Sequence, residues 1–509
     1  MFLDSAALGV VDGASWGVGD LARELRGLGA LALLVLLPGL VLVRARWTAV
    51  PSLSLSFWIA SWWWLGLLDV GRRRFILATL AGFLILAGLR VLRPWRAPRP
   101  SLAALAVLAG AVALGLPYLL EPVPSGADGS FRALQALLMV WRDGMPSSYE
   151  PLLPAAGFGA SPPGLPGLAA DVSLLSGLPA YRATVLVSLA ARGLLVLSLF
   201  ALLRPRGTAV AAVASTSAVV SAAWLQRWLY PAGDVPSLAV ALVAASATVV
   251  SGGGGHRGLA AGVLFGAAVV SDPVAAAAGG LAAALLSGGA GSIPRNRSGC
   301  SAVYWGSLAA VLVAGPFLWK LAPALAAGNV SLGDAALIAA LAAVPVPLAG
   351  GLVALSRELA VRDSSKGALR RGRGPALAAA LLACALTGAS RGARWGRAPH
   401  TGGDDLRAMS WLARHARQSD VVCNLHDGPA VWIPAVAGRA VTRPHLAGPF
   451  PPSPRADAHR CVWVYASAID HGRVAFESGT VRILDARPAA SPEVTTFDTP
   501  PRNLVPSSP

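Results

Sequence analysis

The sequence predicts a polytopic α-helical membrane protein of about twelve transmembrane helices, closed by a small C-terminal extracytoplasmic α/β domain. Three observations carry that prediction. Apolar residues make up 55% of the chain and charged residues only 13%, where a water-soluble protein carries roughly 25% charged residues; the mean hydropathy is +0.60. Apolar runs recur at lengths that span a bilayer. Past Arg397 the composition changes abruptly: six of the seven histidines lie there, and apolar residues shrink to short runs.

Taken in order, the spanning candidates are residues 28–43, 53–68, 75–92, 102–120, 183–203, 209–225, 238–250, 259–270, 274–286, 303–321, 335–355 and 375–386. Asp4, Asp12, Asp20 and Glu24 precede the first run, where a cleavable signal would carry cations, so the first helix is expected to stay as an anchor. The pair around Asp272-Pro273 reads either as two thin helices or as one broken helix. An ionisable Asp272 inside the membrane would be functional by default, whereas at a hairpin tip it would lie at the surface.

The net charge is +17. A soluble protein this basic would suggest nucleic acid, but the cations cluster in short stretches between apolar runs. Arg44 and Arg46, residues 90–99, Arg204 and Arg206, Arg295 and Arg297, and residues 357–373 look like cytoplasmic loops under the positive-inside rule, and no nucleic-acid partner is expected. With both halves of the Asp272 pair crossing, this sidedness places residues 121–181, 227–235, 323–333 and everything after Gly388 on the outer side. Arg72-Arg73-Arg74 falls on the wrong side of the pattern. The division expected is residues 1–120 as N-terminal helices, 121–181 as a large external loop with interfacial helices, 182–388 as further helices, 389–487 as the external α/β domain and 488–509 as a loose Pro/Ser-rich tail.

In that last domain, residues 404–417 read as an amphipathic helix capped by Asp404 or Asp405, and Val421-Val422-Cys423 and Val462-Trp463-Val464-Tyr465 read as strands. No C-x-x-C spacing is present, which argues against a zinc or thioredoxin-like site. Cys423 and Cys461 either form a disulfide in an oxidising compartment or remain two buried thiols.

The chemistry concentrates in the long loop. It runs Ser125-Gly126-Ala127-Asp128-Gly129-Ser130-Phe131-Arg132, then Trp141-Arg142-Asp143-Gly144, Tyr149-Glu150-Pro151, and Ser161-Pro162-Pro163-Gly164. An acid beside the membrane, an amphipathic helix along the interface and a Pro-Pro-Gly return would form a cleft at headgroup depth. A carboxylate there can take the proton of an acceptor hydroxyl, and guanidinium groups suit phosphate. Asp128 also fits the bland role of a helix cap.

This pattern resembles the GT-C class of integral membrane glycosyltransferases, which take sugars from polyprenyl-phosphate donors on the outer membrane face. Members carry a G-x-D-x-x-x-H segment, a Tyr-x-Pro and a Y-P-P-G turn. Here Asp128 takes the acidic position, Tyr149-Glu150-Pro151 the Tyr-x-Pro and Pro162-Pro163-Gly164 the turn, while Arg132 stands where His is usual and Ser161 where Tyr is. The tail resembles the external domain of bacterial members through Asp405 to Trp411, Asn424 and Val431-Trp432-Ile433-Pro434. The resemblance implies Asp128 as catalytic base, with Arg132, Arg142 and Lys320 holding phosphate and Tyr149 and Glu150 binding substrate. Asn424, Asp427 and His445, with His426, are candidates to grip a sugar or pyrophosphate, although a turn with surface histidines explains them as well. The implied partners are a polyprenyl-phosphate-linked sugar, membrane lipids and a glycan, lipid or protein acceptor. No resident cofactor is expected, a divalent cation being left open. Competing readings are a non-catalytic scaffold of the same fold and a transporter or flippase of lipid-linked substrates.

Overall fold

The computed structural model describes residues 18–42, 47–68, 70–91, 101–119, 123, 127–153, 158, 162–204, 208–229, 236–250, 255–288, 297–326, 401–424, 429–442, 461–467, 473–479 and 481–486. The expected spans 335–355 and 375–386 lie outside these residues. Ten of the expected apolar runs are helices: α1 (Val18–Leu42), α2 (Val50–Leu68), α3 (Arg72–Val91), α4 (Leu102–Leu119), α7 (Ala180–Leu203), α8 (Thr208–Leu229), α9 (Pro236–Val250), α10 (Gly255–Ser271), α11 (Pro273–Gly288) and α12 (Arg297–Ala326). The long loop contributes α5 (Ala127–Arg142) and α6 (Gly164–Ser176). Two of the described helices are long and apolar enough to cross a membrane, Leu21–Leu42 and Ala180–Leu203; shorter apolar helices cover Val210–Val219, Ser237–Val249, Arg257–Ser271 and Tyr304–Trp319.

Neighbouring helices satisfy each other's broken backbone bonds. Pro38 sits inside α1 and has no N–H to give the Leu34 carbonyl four residues back. The indole Nε1–H of Trp58 on α2 donates to that carbonyl at 3.0 Å, and the Gly39 N–H donates to Ser54 Oγ at 2.7 Å. Only glycine fits at 39, since a Cβ there would come within 2.2 Å of the Val50 carbonyl oxygen. Small residues likewise let α10 and α12 approach side by side, Gly262 against Gly306.

Ion pairs and turns fix which helix ends lie together. Arg182 at the start of α7 pairs with Glu24 at the start of α1 at 2.7 Å. Arg72 at the start of α3 pairs with Asp171 on α6, and the Arg72 N–H donates to the Asp143 carbonyl at 2.7 Å. The α10–α11 turn packs on the start of α6, where a Cβ on Gly164 would meet Ser271. Arg204, Arg257 and Arg297 stand at the other ends of α7, α10 and α12, while Arg73, Arg74 and Arg142 are exposed at the α5 end.

Within the Arg72-Arg73-Arg74 exception the first residue has a physical cause for its place, while Arg73 and Arg74 are exposed. Arg72 is 1% exposed and forms a two-pronged ion pair with Asp171, Nε to Oδ1 at 2.8 Å and Nη2 to Oδ2 at 2.7 Å. Its Nη1 donates to Ser61 Oγ at 2.7 Å, and its guanidinium lies 4.4 Å from the centre of the Trp62 ring. A cation held this way is an internal strut and carries no information about sidedness.

The C-terminal domain consists of α13 (Gly403–His415), the single helical turn α14 (Ile433–Val436) and five strands: β1 (Val421–Asn424), β2 (Ala440–Val441), β3 (Trp463–Ser467), β4 (Val474–Ser478) and β5 (Val481–Asp485). Strand order is β2-β1-β3-β5-β4. β1 runs parallel to β2 and β3, and β5 runs antiparallel to β3 and β4. The predicted helix and two predicted strands are present, and α13 packs on β4 and β5. Its N-cap is Gly402, whose N–H donates to Asp405 Oδ2 at 2.6 Å. Of the two states open to the cysteines, the structure has the disulfide: Cys423 and Cys461 are bonded, their Cα atoms 5.4 Å apart.

Candidate functional site at the α5 end of the bundle

Helix α5 is amphipathic by sequence, and an interfacial position was expected. It is instead enclosed: residues 133–139 are all buried, between α6 and α7 on the bundle side and the C-terminal domain on the other. The element that seats the domain is the Trp-Ile-Pro segment singled out in the sequence. The turn Pro429–Trp432 and α14 pack on α5, and α14 also reaches α7. The long loop and the C-terminal domain therefore share one end of the molecule and one interface.

Within that interface the polar residues of α5 form a chain. Arg132 Nη1 donates to Gln135 Oε1 at 3.3 Å and to the Pro162 carbonyl at 3.2 Å. Gln135 Nε2 donates to the Tyr149 hydroxyl at 2.9 Å. Tyr149 is fully buried, its ring 5.3 Å from that of Phe131 and 4.8 Å from that of Phe158. The Nε of Arg132 is shielded from solvent without a hydrogen-bond partner among the described residues. Arg132 therefore ties the α5 helix to the Pro-Pro-Gly return and retains unspent donor capacity.

The Asp272-Pro273 segment is the turn between two helices, next to Ser271, which meets the start of α6 at Gly164, and Asp272 is half-buried there. Its Oδ1 accepts from the Val274 and Ala275 N–H groups at 3.1 and 2.9 Å, capping α11. Burial pushes its carboxyl pKa up, while those amides and the positive charge of Arg132 pull it down.

The expected site residues divide into three groups. Arg132 and Tyr149 are joined through Gln135, and position 128 is the second residue of α5, one helical turn before Arg132. Arg142 and Glu150 are exposed, Arg142 at the end of α5 and Glu150 just after Tyr149. Asn424 is in a different place, buried in the C-terminal domain, where its Oδ1 accepts from Thr442 Oγ1 at 3.0 Å; that bond ties β1 to the end of β2. Lys320 lies in α12. The side chains of Asp128 and Lys320, and Ser161, His426, Asp427 and His445 altogether, lie outside the described residues. Among the described residues no three His, Cys, Asp or Glu side chains converge to hold a metal ion.

The sequence pattern missed Gln135 as the partner of Arg132, and Arg72 with Asp171. The Arg132–Gln135 spacing of three on a helix was a visible signal. The Arg132–Pro162 and Arg72–Asp171 bonds join residues 30 and 99 positions apart and leave no local trace. No known protein family matches the chain, and no curated protein resembles it at a significant level.

Proposed function

We propose that this chain is a multi-pass membrane protein whose α5 end faces outward at headgroup level, where it transfers a sugar from a polyprenyl-phosphate-linked donor to an envelope glycan, lipid or protein acceptor. The observation that carries the reading is the hydrogen-bonded chain of Arg132, Gln135 and Tyr149, set at one end of an apolar bundle and against the C-terminal domain. Membrane residence is supported by the outward side chains. Leu77, Leu84, Ile85, Leu86 and Leu89 on α3 and Tyr304, Val311, Leu312 and Trp319 on α12 are all exposed, a run of bulky apolar groups that water disfavours and lipid accepts. The outward direction is supported by the disulfide, which suits an oxidising compartment.

In this reading Asp128 removes the proton of the acceptor hydroxyl as the sugar bond forms. Arg132, one turn later on α5, holds the donor phosphate with the donor capacity it does not spend on Gln135 and Pro162. The test uses the full chain in nanodiscs with polyprenyl-phosphate-linked sugar and a membrane extract as acceptor. Asp128→Asn is expected to slow transfer by roughly 100-fold or more while the protein stays folded by gel filtration. An unchanged rate sinks the assignment.

A second reading, a non-catalytic scaffold, draws on a specific observation: Arg132, Gln135 and Tyr149 also bond to one another. A scaffold predicts no transfer by the wild type and a loss of stability, not of rate, in Gln135→Ala.

A further inference from the structure

Three cations open α3, and only the first is accounted for. Arg72 is neutralised by Asp171, but Arg73 and Arg74 are exposed and make no side-chain ion pair or hydrogen bond among the described residues. Cations in the first turn of a helix oppose its dipole, and like charges side by side repel, so this arrangement is unfavourable unless an anion lies near. Helix α5 brings a third free guanidinium to the same place. The Arg73 N–H donates to Asp143 Oδ1 at 2.7 Å and the Arg72 N–H to the Asp143 carbonyl at 2.7 Å, so Arg142, the residue before Asp143, has its backbone beside theirs. Arg142 is also exposed and without a partner among the described residues. Among the described residues Asp143 is the acid bonded at this corner, and its carboxylate already serves the α3 backbone.

The surroundings are apolar and turned outward. Trp64, Leu68 and Val70 lead into the turn and Leu77 follows it one helical turn later, all of them exposed. Bulky exposed apolar side chains next to three guanidinium groups that are exposed and without partners among the described residues match the profile of a bilayer from acyl chains to headgroups.

We infer that Arg73, Arg74 and Arg142 form a binding surface for the headgroup of an anionic phospholipid in the leaflet at the α5 end. The inference rests on the membrane reading above but not on the glycosyltransferase reading. The three cations suit a lipid of net negative charge, the zwitterionic phosphatidylcholine headgroup offering no net charge to balance. The surface lies on the end wall of the bundle beside α5, so the bound lipid would steady the helix that carries Arg132.

The experiment compares the full chain in nanodiscs of phosphatidylcholine alone with nanodiscs containing phosphatidylglycerol, and counts the lipids that copurify from the mixed discs after detergent extraction. Phosphatidylglycerol is expected to raise the thermal midpoint of the wild type and to copurify in excess of its share. Replacing all three residues, Arg73→Gln, Arg74→Gln and Arg142→Gln, is expected to weaken retention on the order of tenfold or more. Arg204→Gln at the opposite end leaves retention unchanged, and the triple Lys variant keeps most of it, showing that loss in the Gln variant is not misfolding. Soluble glycerol phosphate in excess should not displace the lipid; displacement would assign the site to a free phosphate and overturn the inference. Equal retention by the wild type and the Gln variant overturns it too. Release of the chain from membranes by alkaline carbonate would instead remove the membrane reading itself.

Discussion

Arg72 and Arg439 are buried in this protein by opposite means. Arg72, in the helical bundle, meets a carboxylate head-on and lies over the Trp62 ring. Arg439, in the C-terminal domain, is 7% exposed, and its hydrogen bonds go to carbonyls: Ala413, Ala416, Ala437 and Gly438. The difference follows from what each region offers. Apolar helix faces leave a charge no solvation, so the bundle must supply a full counter-charge. The C-terminal end of α13 leaves its last carbonyls without donors and concentrates the negative end of the helix dipole, so there a cation is solvated by backbone alone. Burial lowers the Arg439 pKa and the nearby Asp420 charge raises it.

The largest expected effect tests the bundle side of this comparison. Arg72→Leu strands Asp171 in an apolar core and should destabilise the detergent-solubilised protein by about 3–5 kcal/mol, whereas Arg72→Leu with Asp171→Leu recovers most of that loss. Thermal unfolding followed by tryptophan fluorescence measures both. If the double variant is as unstable as the single one, Asp171 is not the group that Arg72 neutralises.

On the other side, Arg439→Met leaves the α13 carbonyls unpaired without stranding any carboxylate. A loss of about 2–3 kcal/mol is expected, confined to the C-terminal domain. Limited proteolysis should cut that domain first and leave α7 intact, while simultaneous cleavage of both regions would mean that they unfold as one unit.

The smallest effect concerns a buried hydroxyl. Tyr465 donates to Asp405 Oδ1, and burial first, then the Asp405 charge, raises its phenol pKa above the ordinary value of 10.0. An acid whose folded pKa is raised stabilises the fold below the unfolded pKa and loses that contribution as pH climbs through the folded one. The C-terminal domain should therefore hold its stability up to about pH 10 and fall above it. Tyr465→Phe should cost about 1 kcal/mol at neutral pH and flatten the alkaline decline. An unchanged alkaline slope in the variant would assign the decline to other groups.

Much of the helical scaffold was legible from the chain because it depends on local properties. Apolar runs that cannot satisfy their backbone in any other way become helices, and ten of the expected runs did so. The helix at 404–417 and the strands around Val421 and Val464 were likewise readable from period and turn residues. β4 and β5 were not singled out, since Val474 and Ala475 are exposed on an edge strand and give no apolar alternation. At the candidate site, the sequence picked out Arg132 and Tyr149 but not Gln135 between them, and it grouped Asn424 among the substrate-binding residues although it is tied into the sheet.

What the sequence by itself determined is the chemistry available: an apolar majority, segregated cations, and an acid, an arginine and a Pro-Pro-Gly return within one loop. Only the tertiary structure decided which charges are free to act. Asp171 and Arg72 stand 99 positions apart and cancel in the core, while Arg73 and Arg74, their immediate neighbours, remain exposed. No local pattern distinguishes three consecutive arginines. Burial does, because a charge inside an apolar bundle persists only where folding brings it a partner.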